Sequence, residues 1–224
     1  MPDTVDQKYY EAVPSRGIAE RLLVAARDRI YEDFLLRMRP GPVDSILDVG
    51  VSDVLNDGAN VLERRYDHKE RIVACGIGTA VAFQQEFPTV RYVQIEPNRP
   101  LPFDDRHFDI ATANAVLEHV GSRQNQKVFV AELCRVAKRV FISVPHRYFP
   151  VEHHTAVPFL HYWDRPFRFV CSLIGKQDWT REENLILMTV RRLEECVPPG
   201  KRAVIGRTGL RLGAMSSNLF LSIE

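Results

Sequence analysis

Apolar residues recur every fourth position at Ile18, Leu22, Ala26, Ile30 and Phe34, flanked by Leu23 and Leu35, and this spacing predicts an amphipathic helix over about 16–38. Pro40 and Pro42 end it, because proline donates no hydrogen bond and restricts the residue before it. A compact apolar run over 45–50 is the first strand candidate. A polar loop over 52–58 and a short helix up to Tyr66 follow. Residues 71–77 predict a second strand, 79–86 a helix, 90–95 a third strand and 108–112 a fourth. A helix over about 123–137 leads into a fifth strand over 140–144, stopped by Pro145.

Strand and helix thus alternate over about a hundred residues, roughly the spacing that parallel crossovers need. Right-handed crossovers then favour a Rossmann-like, doubly wound α/β sheet that is mostly parallel. In the tail, Asp164 is placed to cap a helix over 165–174, with Gly175 beyond its end, and Thr189 one running to Cys196. Strand candidates at 202–205 and 218–223 bring the sheet to seven. With no internal repeat and no low-complexity linker, the chain of 224 residues is expected to form a single domain. Its parts would be a helix at about 16–38, a core at about 43–145, and additions over about 146–224.

Composition narrows the function without naming it. A formal net charge of +1 offers no basic excess for neutralising phosphates, so no nucleic-acid partner is expected. Cys75, Cys134, Cys171 and Cys196 are widely spaced, with no zinc-type pairing and no disulfide framework, so reduced thiols and a cytoplasmic setting are expected. The start, Met1 to Asp6, is polar and acidic rather than leader-like. No apolar run approaches the ~18 residues that span a bilayer. The aromatics Phe159, Tyr162, Trp163, Phe167 and Phe169 read as a core patch, with a lid or peripheral membrane contact left open.

Ligands of open α/β sheets bind at the carboxyl ends of the strands, where the strand order reverses. Here the first strand ends in Asp48-Val49-Gly50-Val51-Ser52, the second in Cys75-Gly76-Ile77-Gly78, the third in Glu96-Pro97, and the fourth in Asn114-Ala115. Asp-x-Gly after an apolar run suits close approach to a nucleotide, and serves equally to make a turn. The order Ile46-Leu47-Asp48-Val49-Gly50, then Leu101-Pro102-Phe103-Asp104-Asp105 with Phe108-Asp109, then Asn114-Ala115-Val116-Leu117-Glu118-His119-Val120, resembles class I S-adenosylmethionine-dependent methyltransferases acting on small molecules. The run from Ser143 to Thr155 is similar to a subgroup associated with glycan and envelope genes.

The resemblance implies S-adenosylmethionine as cofactor, a small-molecule or glycan acceptor methylated on oxygen, no metal, and an antiparallel C-terminal strand. It implies Asp48 and Gly50 beside the methionine part and Glu96 near the adenine amino group, with Val51, Ser52, Cys75, Gly76 and Pro97 as further cofactor-binding residues. Asn114 and Ala115 would lie under the sulfonium, with His119 close by. Two departures stand out. The glycine-rich loop is reduced to Val51-Ser52-Asp53-Val54, and Gly78 stands where a ribose-binding carboxylate is usual. Asp53, Asp57 and Asn60 are candidate replacements.

His146, Glu152, His153, His154 and His161 concentrate after the fifth strand. A histidine titrates near neutral pH, so His154 is a candidate base or acceptor-positioning group, with Glu152 as its orienter and His119 as a third candidate. A metal site and plain backbone bonding are the rival readings of this cluster. A catalytically degraded binding or scaffold domain is the alternative function. An NAD(P)-dependent oxidoreductase would need a G-x-G-x-x-G and a ribose reader that this chain lacks.

Overall fold

The computed structural model describes residues 18–54 and 58–224, so the expected helix start at residues 16–17 lies outside the described residues. The elements are α1 (Ile18–Met38), β1 (Ile46–Val49), α2 (Val61–Arg65), β2 (Ile72–Gly76), α3 (Val81–Glu86), β3 (Arg91–Gln94), β4 (Phe108–Asn114), α4 (Arg123–Val136), β5 (Ala137–Pro145), α5 (Asp164–Leu173), α6 (Val190–Cys196), β6 (Ala203–Leu212) and β7 (Met215–Ile223). They form one seven-stranded sheet in the order β3-β2-β1-β4-β5-β7-β6. β1 to β5 pair in parallel, and β7 runs antiparallel to both β5 and β6. This is the expected Rossmann-like α/β sheet.

Alternation along each central strand divides the core in two. Ile46, Ile110, Phe141 and Phe220 face one side, where Ile30, Phe34 and Met38 of α1 cover them. Leu47, Ala111, Ile142 and Leu221 face the other, under Val130, Leu133 and Val136 of α4 and Leu193 of α6. The four-residue apolar spacing therefore does define the buried stripe of α1, although Leu22 at its start is half exposed. Arg139 on β5 fastens the end of α1: its guanidinium donates to the Met38 carbonyl and, at 2.9 Å, to the Asp44 carboxylate.

Two local expectations are corrected. The closing strands are far longer than 202–205 and 218–223, because β7 buries Ser216, Ser217 and Asn218 as well as apolar residues. Their side chains satisfy one another: Ser217 Oγ donates to Asn218 Oδ1 at 2.7 Å and accepts from the Leu210 amide at 2.8 Å. Polar residues that bond inside the sheet do not show as hydrophobic alternation. Asp164 also does not cap α5; the cap position is Trp163 without a side-chain bond, while the Asp164 carboxylate accepts from Arg147 at 2.6 Å. Thr189 does cap α6, its hydroxyl accepting from the Arg192 amide.

Phe141 lies at the centre of the α1 face, 5.6 Å from a near-parallel Phe220 ring and 5.7 Å from an edge-on Phe34. Phe141→Ala removes both contacts from a site too enclosed to collapse. It is expected to cost about 3–5 kcal/mol, read as a lower denaturant midpoint in urea unfolding.

Candidate functional site

The sheet order reverses between β1 and β4, whose neighbours lie on opposite sides, and a cleft opens at their carboxyl ends. This cleft, open to solvent and enclosing about 970 Å³, is walled by Val49, Gly50, Val51, Gly76 and Ile77 from β1 and β2. Residues 95–101 after β3, Val116 and Val120 after β4, and Phe129 and Glu132 of α4 close it. An apolar slot with polar groups at its rim suits a planar heterocycle bearing a polar tail. Gly50 is required here: its φ is +101°, and a Cβ would come 2.2 Å from Val116 Cγ2.

Of the residues singled out in the sequence, Gly50, Val51, Gly76, Glu96 and Pro97 line this cleft. Asp48, Ser52, Cys75, Asn114 and Ala115 do not. Cys75 is buried, its carbonyl accepting from the Gly50 and Val51 amides at 2.7 and 3.1 Å. Asn114 Oδ1 accepts from the Ser143 hydroxyl, and the Ala115 amide donates to the Ser143 carbonyl at 2.9 Å. The variant loop spends its polar groups on itself. The Ser52 amide donates to Asn60 Oδ1 at 2.9 Å, Asn60 Nδ2 returns to the Ser52 carbonyl, and Asp53 Oδ1 accepts from the Phe83 amide. Asp57 lies outside the described residues. After β2 the Tyr92 hydroxyl donates to the Gly78 carbonyl at 2.5 Å. Glu96 is the cleft's accessible carboxylate, its nearest cation Arg99 at 3.7 Å, whereas Glu132 is held by Arg135 and the Leu101 amide.

Asp48 turns instead toward Glu63 of α2, which is fully buried and was not foreseen in the sequence. Burial pushes Asp48 up to about 6. Burial, and then the neighbouring Asp48 charge, raise Glu63 well above the carboxylate range. Two enclosed carboxyls side by side favour holding a proton between them.

A second cluster forms behind the cleft wall, on the 3-10 turn Leu117–His119 that separates Val116 from Val120. His119 Nε2 faces His154 Nε2 at 3.2 Å. His154 Nδ1 meets Glu152 Oε1 at 2.8 Å, and His119 Nδ1 meets the Asn184 carbonyl at 2.7 Å. The Glu152 carboxylate also accepts from the amides of His154 and Thr155 and from the Thr155 hydroxyl. Burial would raise Glu152, but the His154 charge and these donors outweigh it and hold it well below its ordinary value. Burial, and then the His154 charge, lower His119 to about 3, while burial pushes Glu118 up to about 7. For His154 burial is outweighed by Glu152, so its affinity for a proton rises. The Trp179 ring packs against both imidazoles, tilted to His154 at 4.8 Å and edge-on to His119 at 6.1 Å between centroids.

The structure therefore brings His119, Glu152 and His154 into direct contact, while His146, His153 and His161 border a small void that Glu152 and His154 also line. His146 and His161 hold backbone carbonyls of Ser216 and Phe149, and His153 stands at the surface. Glu118 was overlooked, although its adjacency to His119 in the sequence was a usable signal. Trp179 and Asn184 arrive from a distant loop, for which the sequence carries no signal.

Residues 47–140, spanning β1 to most of β5, match the family model described as "Methyltransferase domain". No curated protein matches the chain. Among solved structures, a SAM-dependent methyltransferase from Aquifex aeolicus is similar over 91% of this chain and 92% of its own, at 15% identity and a TM-score of 0.53. An S-adenosylmethionine-dependent methyltransferase from Mesorhizobium loti covers 87% and 97%, at 12% identity and a TM-score of 0.56. The trans-methyltransferase CalH, solved in complex with SAH, covers 93% of this chain and 59% of its own, at 14% identity and a TM-score of 0.57. At such identities the likeness is one of fold. The residues that wall the cleft all lie inside the matched segment, and the solved structures share the fold around it.

The carboxyl pair makes a prediction about stability. Groups that bind protons more tightly when folded stabilise the fold at low pH, and that contribution is lost as pH rises from the unfolded range near 4 through about 6. Glu63 faces Asp48, with Lys69 the cation that acts on it. Glu63→Gln removes the shared proton, so its melting temperature should fall less than the native protein's between pH 5 and 8. A difference of several degrees is expected. Parallel losses in calorimetric scans of the two proteins would mean that the pair is not protonated in the fold.

Proposed function

We propose that this protein transfers a methyl group from S-adenosylmethionine to an oxygen of a small-molecule or glycan acceptor. The observation that carries the reading is the cleft at the β1–β4 reversal, apolar within and closed on one side by a Gly50 backbone that tolerates no side chain. The donor set fits the cofactor in part: an apolar slot for adenine between Ile77, Ile95, Pro97 and Leu101, with Glu96 to accept from its amino group. No carboxylate stands at the end of β2, so ribose contacts fall to backbone and rim groups of the same cleft.

When bound, the cofactor supplies the activated methyl and its own leaving group. The chain's residues are left with binding, alignment and exclusion of water. Phe129, Val116 and Val120 line the wall where water must be kept out. His119, Glu152 and His154 serve the acceptor side as positioning groups on this reading. A free base is less well supported, because both ring nitrogens of His154 are already engaged, by Glu152 and by His119.

Calorimetric titration with S-adenosylmethionine and S-adenosylhomocysteine tests the reading. Binding in the micromolar range is expected, weakened about tenfold by Glu96→Ala through loss of a charge-assisted hydrogen bond. No binding at millimolar cofactor would overturn it and leave a scaffold domain that keeps only the fold.

A further inference from the structure

Glu118 is 1% exposed, yet neither of its carboxylate oxygens has a hydrogen-bond partner. Native proteins rarely bury a carboxyl group without something to complete it. Glu118 Oε1 lies 3.9 Å from His119 Nε2, which itself lies 3.2 Å from His154 Nε2. One ligand atom from each of the three residues falls within 4.8 Å of the others. We propose that Glu118, His119 and His154 form a binding site for one divalent transition-metal ion of the zinc class.

Four observations support this assignment. A backbone carbonyl can only accept, so Asn184 fixes the His119 proton on Nδ1 and leaves Nε2 with its lone pair toward His154. Glu152 does the same for His154, in the carboxylate–histidine arrangement that orients imidazoles toward a metal. Two imidazole nitrogens bound tetrahedrally at about 2.0–2.1 Å from zinc sit about 3.3 Å apart, close to the 3.2 Å seen here. Finally, Glu118 and His154 border a void of about 10 Å³, the space of roughly one water molecule, which His146, Glu152, His153 and His161 also line. Two nitrogens and one oxygen select zinc-like ions over magnesium, which prefers an all-oxygen shell.

The three ligands come from the turn after β4 and the segment after β5, and the 179–186 loop braces them through Asn184 and through the Ile186 amide, which donates to the Glu118 carbonyl at 2.8 Å. An ion here would tie the segment after β5 to the turn whose other residues, Val116 and Val120, wall the cleft. The competing arrangement is a proton shared between the two imidazoles, which leaves Glu118 unsatisfied. This inference does not depend on the cofactor reading, and its test uses no S-adenosylmethionine.

The test is titration of the chelator-stripped full chain with Zn²⁺ and with Mg²⁺, followed by calorimetry and thermal melting. One Zn²⁺ per chain is expected, at micromolar or tighter affinity, with a raised melting temperature and binding of Mg²⁺ at least about a hundredfold weaker. Glu118→Gln and His154→Asn should each weaken Zn²⁺ binding about a hundredfold or more, while His153→Ala leaves it within about twofold. Should those two variants fail to fold, X-ray absorption of the zinc-loaded native chain decides, with two imidazoles and an oxygen in the first shell expected. No saturable Zn²⁺ binding, binding indifferent to Glu118→Gln, or a shell containing sulfur would overturn the site and favour the shared proton.

Discussion

The seat of β1 between β2 and β4 sets the rest of this molecule. Parallel ladders on both sides enclose the strand, so its carboxyl end can open only where the two crossovers diverge. Val49, Gly50 and Val51 emerge there, and the amides of Gly50 and Val51 fold back onto the Cys75 carbonyl. Gly50 packs there against Val116, so one turn ties β1 to the segment after β4. The cleft follows from this geometry, and so does the intolerance of a side chain at residue 50.

Ionisable groups are enclosed at two places near the cleft, and each has its own resolution. Asp48 and Glu63 have no nearby cation comparable to their own enclosure, so protonation is the inexpensive way to keep them inside. Glu152 has the opposite answer: a ring of donors from His154 and Thr155 keeps it charged despite burial. The difference lies in donor supply rather than depth. Glu118 differs again: its carboxylate oxygens have no hydrogen-bond partner, and burial pushes it up to about 7.

The long chain over 146–188 gives this half of the molecule its character. It adds no strand to the sheet, yet it delivers Glu152, His154, Trp179 and Asn184 to the back of the turn after β4. Arg147 anchors it by donating to the Asp164 carboxylate and the Tyr162 carbonyl, and Met188 bridges back to His146. Among the described residues no helix is long and apolar enough to cross a membrane. The aromatics of this region divide: Phe167 packs inward with Cys171, while Trp163 and Phe169 stay at the surface.

The strand-helix alternation, the apolar stripe of α1 and the carboxyl-end location of the cleft could all be read from the chain. Each is local in sequence: a period of four or a run of apolar residues is set by neighbours a few positions apart. Of the motif over 114–120, Val116 and Val120 do reach the cleft, while Asn114 and Ala115 bond to Ser143 instead. What only the tertiary structure decided depends on partners far along the chain. Asp48 could not be known to face Glu63, nor Asp53 and Asn60 to be consumed by loop bonds, because a side chain's direction is fixed by packing rather than by its own position. The length of β6 and β7 was hidden for the same reason, since Ser216, Ser217 and Asn218 are buried through bonds that no periodicity displays. The meeting of Glu118, His119 and His154 required two segments some 35 residues apart to close on one point, and burial alone made that meeting consequential.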